Sequence, residues 1–406
     1  MKKRGNQRFV FGILRLLAGP FVKITMGFRC GKRQKITAPS LIIANHNTDI
    51  DPALVALGVS GQMYFVSSEH ALRKGFGSKL IKRLFDPIVI NKTKSDAYAA
   101  KEILRKLKSG RSVCLFAEGN RSYTGLTGPI RFSTAKLARA GGAALVTYRI
   151  EGGYFTRPRW SNSKRKGRMR GGVVGNYSPD QLAAMTDEEI FALIERDIHE
   201  DAYQRQSENP VRYRGKKLAE NIETALYMCP ECGGIGTIHS DGNLFSCGCG
   251  LRARYTNMGY ITDRRKVRKK DKADYKPLEF DTVTGWCKWQ SERLREIIAE
   301  SMAKGDERPF FQDEEQRLYR VRPAEGSDLV GEGPMWISSK ELGCAGMTFP
   351  LDNITRLAIV DQMTLLFGLR DGAEYEVLSD RPRSTLKYVE AFDIISEINQ
   401  NNKKEG

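Results

Sequence analysis

Acidic residues are scarce in the first part of this 406-residue chain. Residues 1–177 hold 8 of them against 34 basic residues, a formal +26, while the remaining 229 hold 40 against 32, or −8. A surface with that excess cannot neutralise its own field, and it draws nucleic acid, anionic membrane or phosphorylated ligands. Cysteine is sparse too: eight residues exclude a disulfide scaffold, and four of them group at 229, 232, 247 and 249, which fits a reducing cytoplasm. Internal repeats and low-complexity tracts are missing. With 40% hydrophobic and 28% charged residues the composition excludes disorder and collagen, and the length predicts two to three domains.

A long apolar run is also lacking. Residues 8–28 are mostly apolar, but Arg15 and Lys23 interrupt them and Gly19-Pro20 divides them into halves of about ten residues. Each half makes about 15 Å of helix against about 30 Å of hydrocarbon. Arg15 and the want of a small-x-small cleavage site also argue against a secretory leader behind Lys2, Lys3 and Arg4. The expectation for residues 1–34 is a pair of amphipathic, membrane-associated helices on the anionic cytoplasmic leaflet, peripheral or monotopic. A single span and a hairpin packed on a soluble core are the alternatives.

From about residue 36 to 178, short apolar runs alternate with helical patterns, which predicts βα units on a mainly parallel sheet. The candidate strands are 41–44, 63–66, 87–90, 113–116, 144–147 and 173–174. Helices are expected after Ser95-Asp96 as far as Gly110, over 133–140, and from a capping box at Thr186-Asp187-Glu188-Glu189 to about Ile198. The pattern predicts an α/β domain over 35–224, a cysteine module over 225–256, a charged linker over 261–277 and a β-rich domain over 278–400. In the last, a helix near Trp286 and Trp289 precedes alternating strands and a closing helix over 384–398, a pattern suggesting a pleckstrin-homology-like barrel.

Two motifs carry chemistry. Asn45-His46-Asn47-Thr48-Asp49-Ile50-Asp51 directly follows the first strand, where open α/β sheets place their sites. A carboxylate bonded to one imidazole nitrogen fixes the tautomer, so the other nitrogen can take a proton from a substrate hydroxyl. Taken alone, the same spacing also describes a loop histidine with Asp49 or Asp51 capping a helix before Pro52. Phe116-Ala117-Glu118-Gly119-Asn120-Arg121-Ser122 follows another buried strand. There Gly119 permits a tight turn, Arg121 offers a fork for phosphate, and Glu118 can hold either Arg121 or the turn backbone. A surface ion pair would also produce that turn.

Together the two motifs resemble the glycerophospholipid acyltransferases, most closely the 1-acylglycerol-3-phosphate acyltransferases. The family's N-H-x₄-D matches Asn45, His46 and Asp51, and its F-P-E-G-T-R-S matches as F-A-E-G-N-R-S at Phe116 to Ser122. The second motif departs from the family, with Asn91-Lys92 after the third strand, and the fourth lacks its proline at Leu145 to Arg149. The resemblance implies acyl transfer from acyl-CoA or acyl carrier protein to the free hydroxyl of 1-acylglycerol-3-phosphate, giving phosphatidic acid. His46 and Asp51 would be catalytic, and Lys92, Glu118, Gly119, Arg121 and Ser122 would form the substrate-binding set. Glycerol-3-phosphate or another lysophospholipid is the alternative acceptor. A non-catalytic module binding lipid or nucleic acid is the other class.

Residues 157–170 contain seven basic residues and no acid, which suggests contact with lipid headgroups or coenzyme A phosphates, with Trp160 at the interface. The cysteine module, with C-P-E-C-G-G at Cys229 and Cys232 and C-G-C-G at Cys247 and Cys249, resembles a zinc ribbon. Its second knuckle is one residue short, so His239 could replace one thiolate. Four protein ligands leave no open position, so the zinc would be structural. Nucleic acid is disfavoured as a partner, because the basic excess lies in 1–177 and only Arg252 and Arg254 adjoin the second knuckle.

Overall fold

The structure is a computed structural model describing residues 2–36, 39–69, 86–90, 97–265, 277–322 and 326–405. The chain divides into two units: Met1–Arg159 with Ser163–Lys216 and Asn257–Gly259, and Trp160–Asn162 with Lys217–Thr256 and Tyr260–Gly406.

The first unit opens with helix α1 (Lys2–Met26) and short strand β1 (Phe28–Cys30). Next come β2 (Ser40–Ala44), α2 (Asp51–Gly58), β3 (Met63–Ser68), β4 (Ile88–Ile90), α3 (Ala97–Lys108), β5 (Ser112–Phe116) and α4 (Ser133–Ala140). Strand β6 (Ala144–Glu151), the single turn α5 (Gly153–Thr156), β7 (Met169–Tyr177), α6 (Pro179–Ala183), α7 (Asp187–Ile198) and α8 (Ala202–Glu208) complete it. The sheet order is β1-β7-β6-β2-β5-β3-β4. Its five central and distal strands run parallel, whereas β7 is antiparallel to β6 and pairs in parallel with β1.

Every residue of β2 is buried, as a central strand covered on both faces requires. Alternation sorts its side chains: Ile42 and Ala44 join Leu54, Val55 and Tyr148 on one side, and Leu41 and Ile43 join Ile103, Val113 and Ile194 on the other. The predicted capping box opens α7, with Thr186 and Glu189 bonding each other's backbone.

The expected N-terminal helix pair is one helix. Pro20 lies inside α1, where it removes one backbone donor without ending the helix. Arg15 explains the docking: its guanidinium donates to the carbonyls of Ala56 (2.8 Å), Val59 (3.0 Å) and Gly61 around the end of α2. Among the described residues no helix is long and apolar enough to cross a membrane.

Among its described residues the second unit holds two sheets. Strands β8 (Ile238–Asp241), β9 (Leu244–Cys247), β10 (Arg252–Tyr255) and β11 (Ile261–Asp263) form an antiparallel sheet in the order β11-β10-β9-β8. After α9 (Val283–Ala303) come β12 (Phe311–Arg322), β13 (Gly326–Ile337), β14 (Glu341–Cys344), β15 (Met347–Pro350), β16 (Ile354–Ile359), β17 (Thr364–Leu369) and β18 (Glu374–Ser379), then α10 (Leu386–Glu405). These seven strands are antiparallel in the order β15-β14-β13-β12-β18-β17-β16. Leu294 and Ile298 of α9 and Ile394 and Ile395 of α10 share one core with Leu318, Leu342 and Phe367. Most of the expected linker, residues 266–276, lies outside the described residues.

Trp160 is corrected from an interfacial position: it is fully buried, edge-on to Tyr255 at 5.2 Å. Its neighbours Arg159 and Arg165 are buried as well, so part of the basic stretch faces inward.

Candidate active site

Register brings the two motifs together. Ala44 pairs with Phe116 where β2 and β5 lie side by side in parallel, so the segments leaving both strands emerge at the same carboxyl end of the sheet. The His46 backbone N–H then donates to Glu118 Oε1 at 2.6 Å, the Ser122 N–H donates to the His46 carbonyl at 3.0 Å, and the His46 ring stacks on Phe116 at 4.5 Å.

His46 Nδ1 lies 2.9 Å from Asp51 Oδ2. The histidine is partly exposed and Asp51 wholly buried, at 21% and 0% of side-chain area. The same carboxylate accepts from the N–H groups of Asn47 (2.6 Å) and Thr48 (2.8 Å) and from Thr48 Oγ1 (2.5 Å). These bonds fix the loop that carries the imidazole. Nε2 of His46 has no hydrogen-bond partner among the described residues, which leaves it available to a proton on an incoming group.

Asn45 and Asn47 tie this loop to β6. Asn45 donates to the Ile150 carbonyl at 2.8 Å and accepts from the Ile150 N–H at 2.7 Å, and Asn47 donates to the same carbonyl at 3.1 Å. Sequence reasoning matched Asn45 only as part of the motif and assigned Asn47 nothing. The polar residue flanking His46 on either side was the available signal.

Of the two partners open to Glu118, the structure selects backbone. Oε1 takes the His46 N–H and Oε2 the Gly128 N–H at 2.7 Å. Burial pushes its carboxyl up to about 8, with those two donors pulling the other way. Gly119 sits at φ +68°, the left-handed region, and its N–H donates to the Phe116 carbonyl at 3.1 Å, as the tight turn requires. Ser122, expected among the substrate-binding residues, closes the turn. Its hydroxyl donates to the Leu126 carbonyl (2.7 Å) and accepts from the Gly125 N–H (2.8 Å). Lys92 lies outside the described residues.

Arg121 forms no ion pair with a described residue. Burial pulls its guanidinium below the ordinary value, Arg159 and Arg157 act the same way, and Asp49 and Asp51 oppose them. Arg159 donates to the Arg121 carbonyl at 3.1 Å and lies 4.4 Å over the Tyr123 ring, while Arg157 pairs with Asp49 at 2.8 Å.

In the second unit, the Sγ atoms of Cys229, Cys232, Cys247 and Cys249 lie within 4.8 Å of one another. The contacts Cys229–Cys249 and Cys232–Cys247 measure 3.7 and 3.8 Å. A tetrahedral site with Zn–S bonds of about 2.3 Å has an S–S edge of about 3.8 Å, so the donor set and its spacing fit zinc. His239 is corrected as a possible fourth ligand: it is exposed on β8 opposite Ser246, and the converging group is the four thiols.

These features define a parallel-sheet α/β domain with a carboxylate-oriented histidine at the strand ends and a neighbouring guanidinium. Residues 28–151 match the model of the family named Acyltransferase. That segment spans β1 to the end of β6 and contains both motif loops, so the match covers the residues that carry the motifs. Among solved structures, the 1-acyl-sn-glycerophosphate (LPA) acyltransferase PlsC from Thermotoga maritima is similar at 18% identity and a TM-score of 0.41, over 47% of this chain and 79% of that one. The C-terminal domain of an unknown protein from Leishmania infantum is similar at 10% identity and a TM-score of 0.14, over 22% of this chain and 82% of that one.

Proposed function

We propose that the first unit transfers a fatty acyl group from acyl-CoA or acyl carrier protein to the free hydroxyl of 1-acylglycerol-3-phosphate, giving phosphatidic acid. The observation that carries this reading is the 2.9 Å contact between His46 Nδ1 and Asp51, with Nε2 free of hydrogen-bond partners among the described residues. Nε2 removes the hydroxyl proton as the acceptor oxygen attacks the thioester carbon. The tetrahedral intermediate then collapses, the C–S bond breaks, and the imidazolium returns its proton to the departing thiolate. Asp51 holds the imidazole in the tautomer with Nδ1–H and supports the transient cation. Arg121, with Lys92, holds the acceptor's phosphate; Gly119 and Glu118 shape the turn that presents it, and Ser122 braces the turn.

The four cysteines of the second unit hold a structural zinc ion. With every position taken by sulfur it supplies fold energy and no chemistry. The seven-stranded body with α10 is read as pleckstrin-homology-like.

The protein works on the cytoplasmic side of the cell membrane, against anionic lipid. Helix α1 supports this: Ile13, Leu16, Leu17, Phe21 and Ile24 recur at helical spacing and all are exposed, Leu16 by 73%. A solvent-facing apolar stripe on a basic unit fits an interfacial helix.

Thiol release from an acyl thioester, measured with 1-acylglycerol-3-phosphate, glycerol-3-phosphate and a phosphate-free monoacylglycerol, tests the reading. Turnover greatest with the first is expected; release indifferent to the acceptor contradicts it, and preference for glycerol-3-phosphate moves the assignment to that acceptor.

A further inference from the structure

The basic stretch after β6 supplies two arginines to the site, and one acid of the histidine loop is already paired with the first of them. Asp49 lies two residues before Asp51 but plays a different part: it is 47% exposed and its carboxylate meets Arg157 Nη1 at 2.8 Å. Arg157 itself is 29% exposed, so solvent reaches both members of the pair. Arg159 is buried and its Nη1 donates to the Arg121 carbonyl, which ties the turn bearing Arg121 to the same stretch. Asp49, Arg157 and Arg159 each act electrostatically on Arg121. Of the two acids that act on Arg121, Asp51 is buried and Asp49 is exposed, so Asp49 is the easier to exchange.

We propose that Arg157 is a second arm of the phosphate site beside Arg121, that Arg159 is the positioning residue that holds Arg121 in place, and that Asp49 is an internal counter-ion which a bound phosphate displaces. This deepens the acyltransferase reading and rests on it for the identity of the phosphate's owner. An exposed pair in water contributes little, so its loss costs little. A dianion bridging two forked donors makes more and stronger bonds than Asp49 makes with one. Asp49 thereby screens the arginines until phosphate arrives, and it disfavours ligands too weakly charged to replace it.

The test is calorimetric titration of the full chain with inorganic phosphate, alongside thiol release with phosphorylated and phosphate-free acceptors. Asp49→Asn, which keeps size and removes charge, should bind phosphate about fivefold tighter, a gain of about 1 kcal/mol. Arg157→Ala should weaken phosphate about tenfold, and Arg157→Lys should recover only part of that. In thiol release, Asp49→Asn should lower KM for the phosphorylated acceptor alone. Phosphate affinity unmoved by either charge change overturns the proposal, as does a KM shift shared equally by both acceptors. Phosphate binding that responds as predicted in a protein releasing no thiol keeps the anion site and removes the acyl-transfer reading.

Discussion

At the residue scale, the two carboxylates Asp51 and Glu118 do different work. Asp51 receives four hydrogen bonds from the loop that it orders, so replacing it disturbs geometry as well as charge. Asp51→Asn turns one oxygen into a donor facing donors, a change of about 1–3 kcal/mol in stability. Chemical denaturation should show that loss, and thiol release should fall with it; a variant as stable as the wild type would contradict the hydrogen-bond assignment. Glu118 titrates in the opposite sense to a salt-bridged acid. Its carboxyl is raised to about 8 by burial, so its protonated form suits the folded state. The stability this contributes is complete below its unfolded value of about 4.3 and is lost as pH rises through about 8. Denaturation midpoints measured between about pH 5 and about pH 9 should therefore fall more steeply for the wild type than for Glu118→Gln, which cannot ionise. Parallel slopes would contradict it.

The meeting of His46 with the Glu118 turn was legible in the sequence, because both motifs directly follow buried apolar runs. The Asp49–Arg157 pair was not, since nothing local to either residue encodes a contact between distant loops. The bonds of the Ser122 hydroxyl to the turn were not legible either, because a motif does not show which backbone atoms come near.

At the element scale, continuous apolar runs identified the central strands because a strand buried on both faces needs no alternation. Strands β1, β14 and β15 escaped, being three or four residues long and lacking such runs. The antiparallel β7 was read as a strand, but its direction depends on the connection through α5 and the basic stretch. Tyr148 shows how tightly β6 meets its neighbours. A Cβ at Gly58 would fall 2.3 Å from its hydroxyl, and one at Gly171 would fall 2.5 Å away. Gly58→Ala is expected to cost about 1–3 kcal/mol by overpacking, read as a lowered denaturation midpoint. An unchanged midpoint would show that Tyr148 moves aside freely.

Helix α1 was misjudged at Gly19-Pro20 because a proline ends a helix only where its neighbours cannot spare one bond. Arg15, which looked like an interruption of an apolar run, is the tether to α2. The exposed stripe then predicts that Leu17→Ser with Phe21→Ser will release the protein from anionic vesicles in a flotation assay while thiol release from a detergent-dispersed acceptor persists. Retained flotation would place lipid contact elsewhere.

At the scale of the whole molecule, the charge asymmetry follows the chemistry. The basic excess lies in residues 1–177, which hold the site proposed for phosphate, while the rest of the chain is net acidic. The second unit is built around its own core, and its cysteines should bind one zinc per chain by elemental analysis. Cys232→Ser should reduce that content, and a zinc-free wild type would contradict the assignment.

The central claim is that the His46 imidazole, oriented by Asp51, activates the acceptor hydroxyl. Thiol release by His46→Ala tests it most directly, with circular dichroism and zinc content confirming that the protein is folded. A loss of about 100-fold or more is predicted, the scale of general-base catalysis. Turnover equal to that of the wild type in a folded His46→Ala protein would contradict the account.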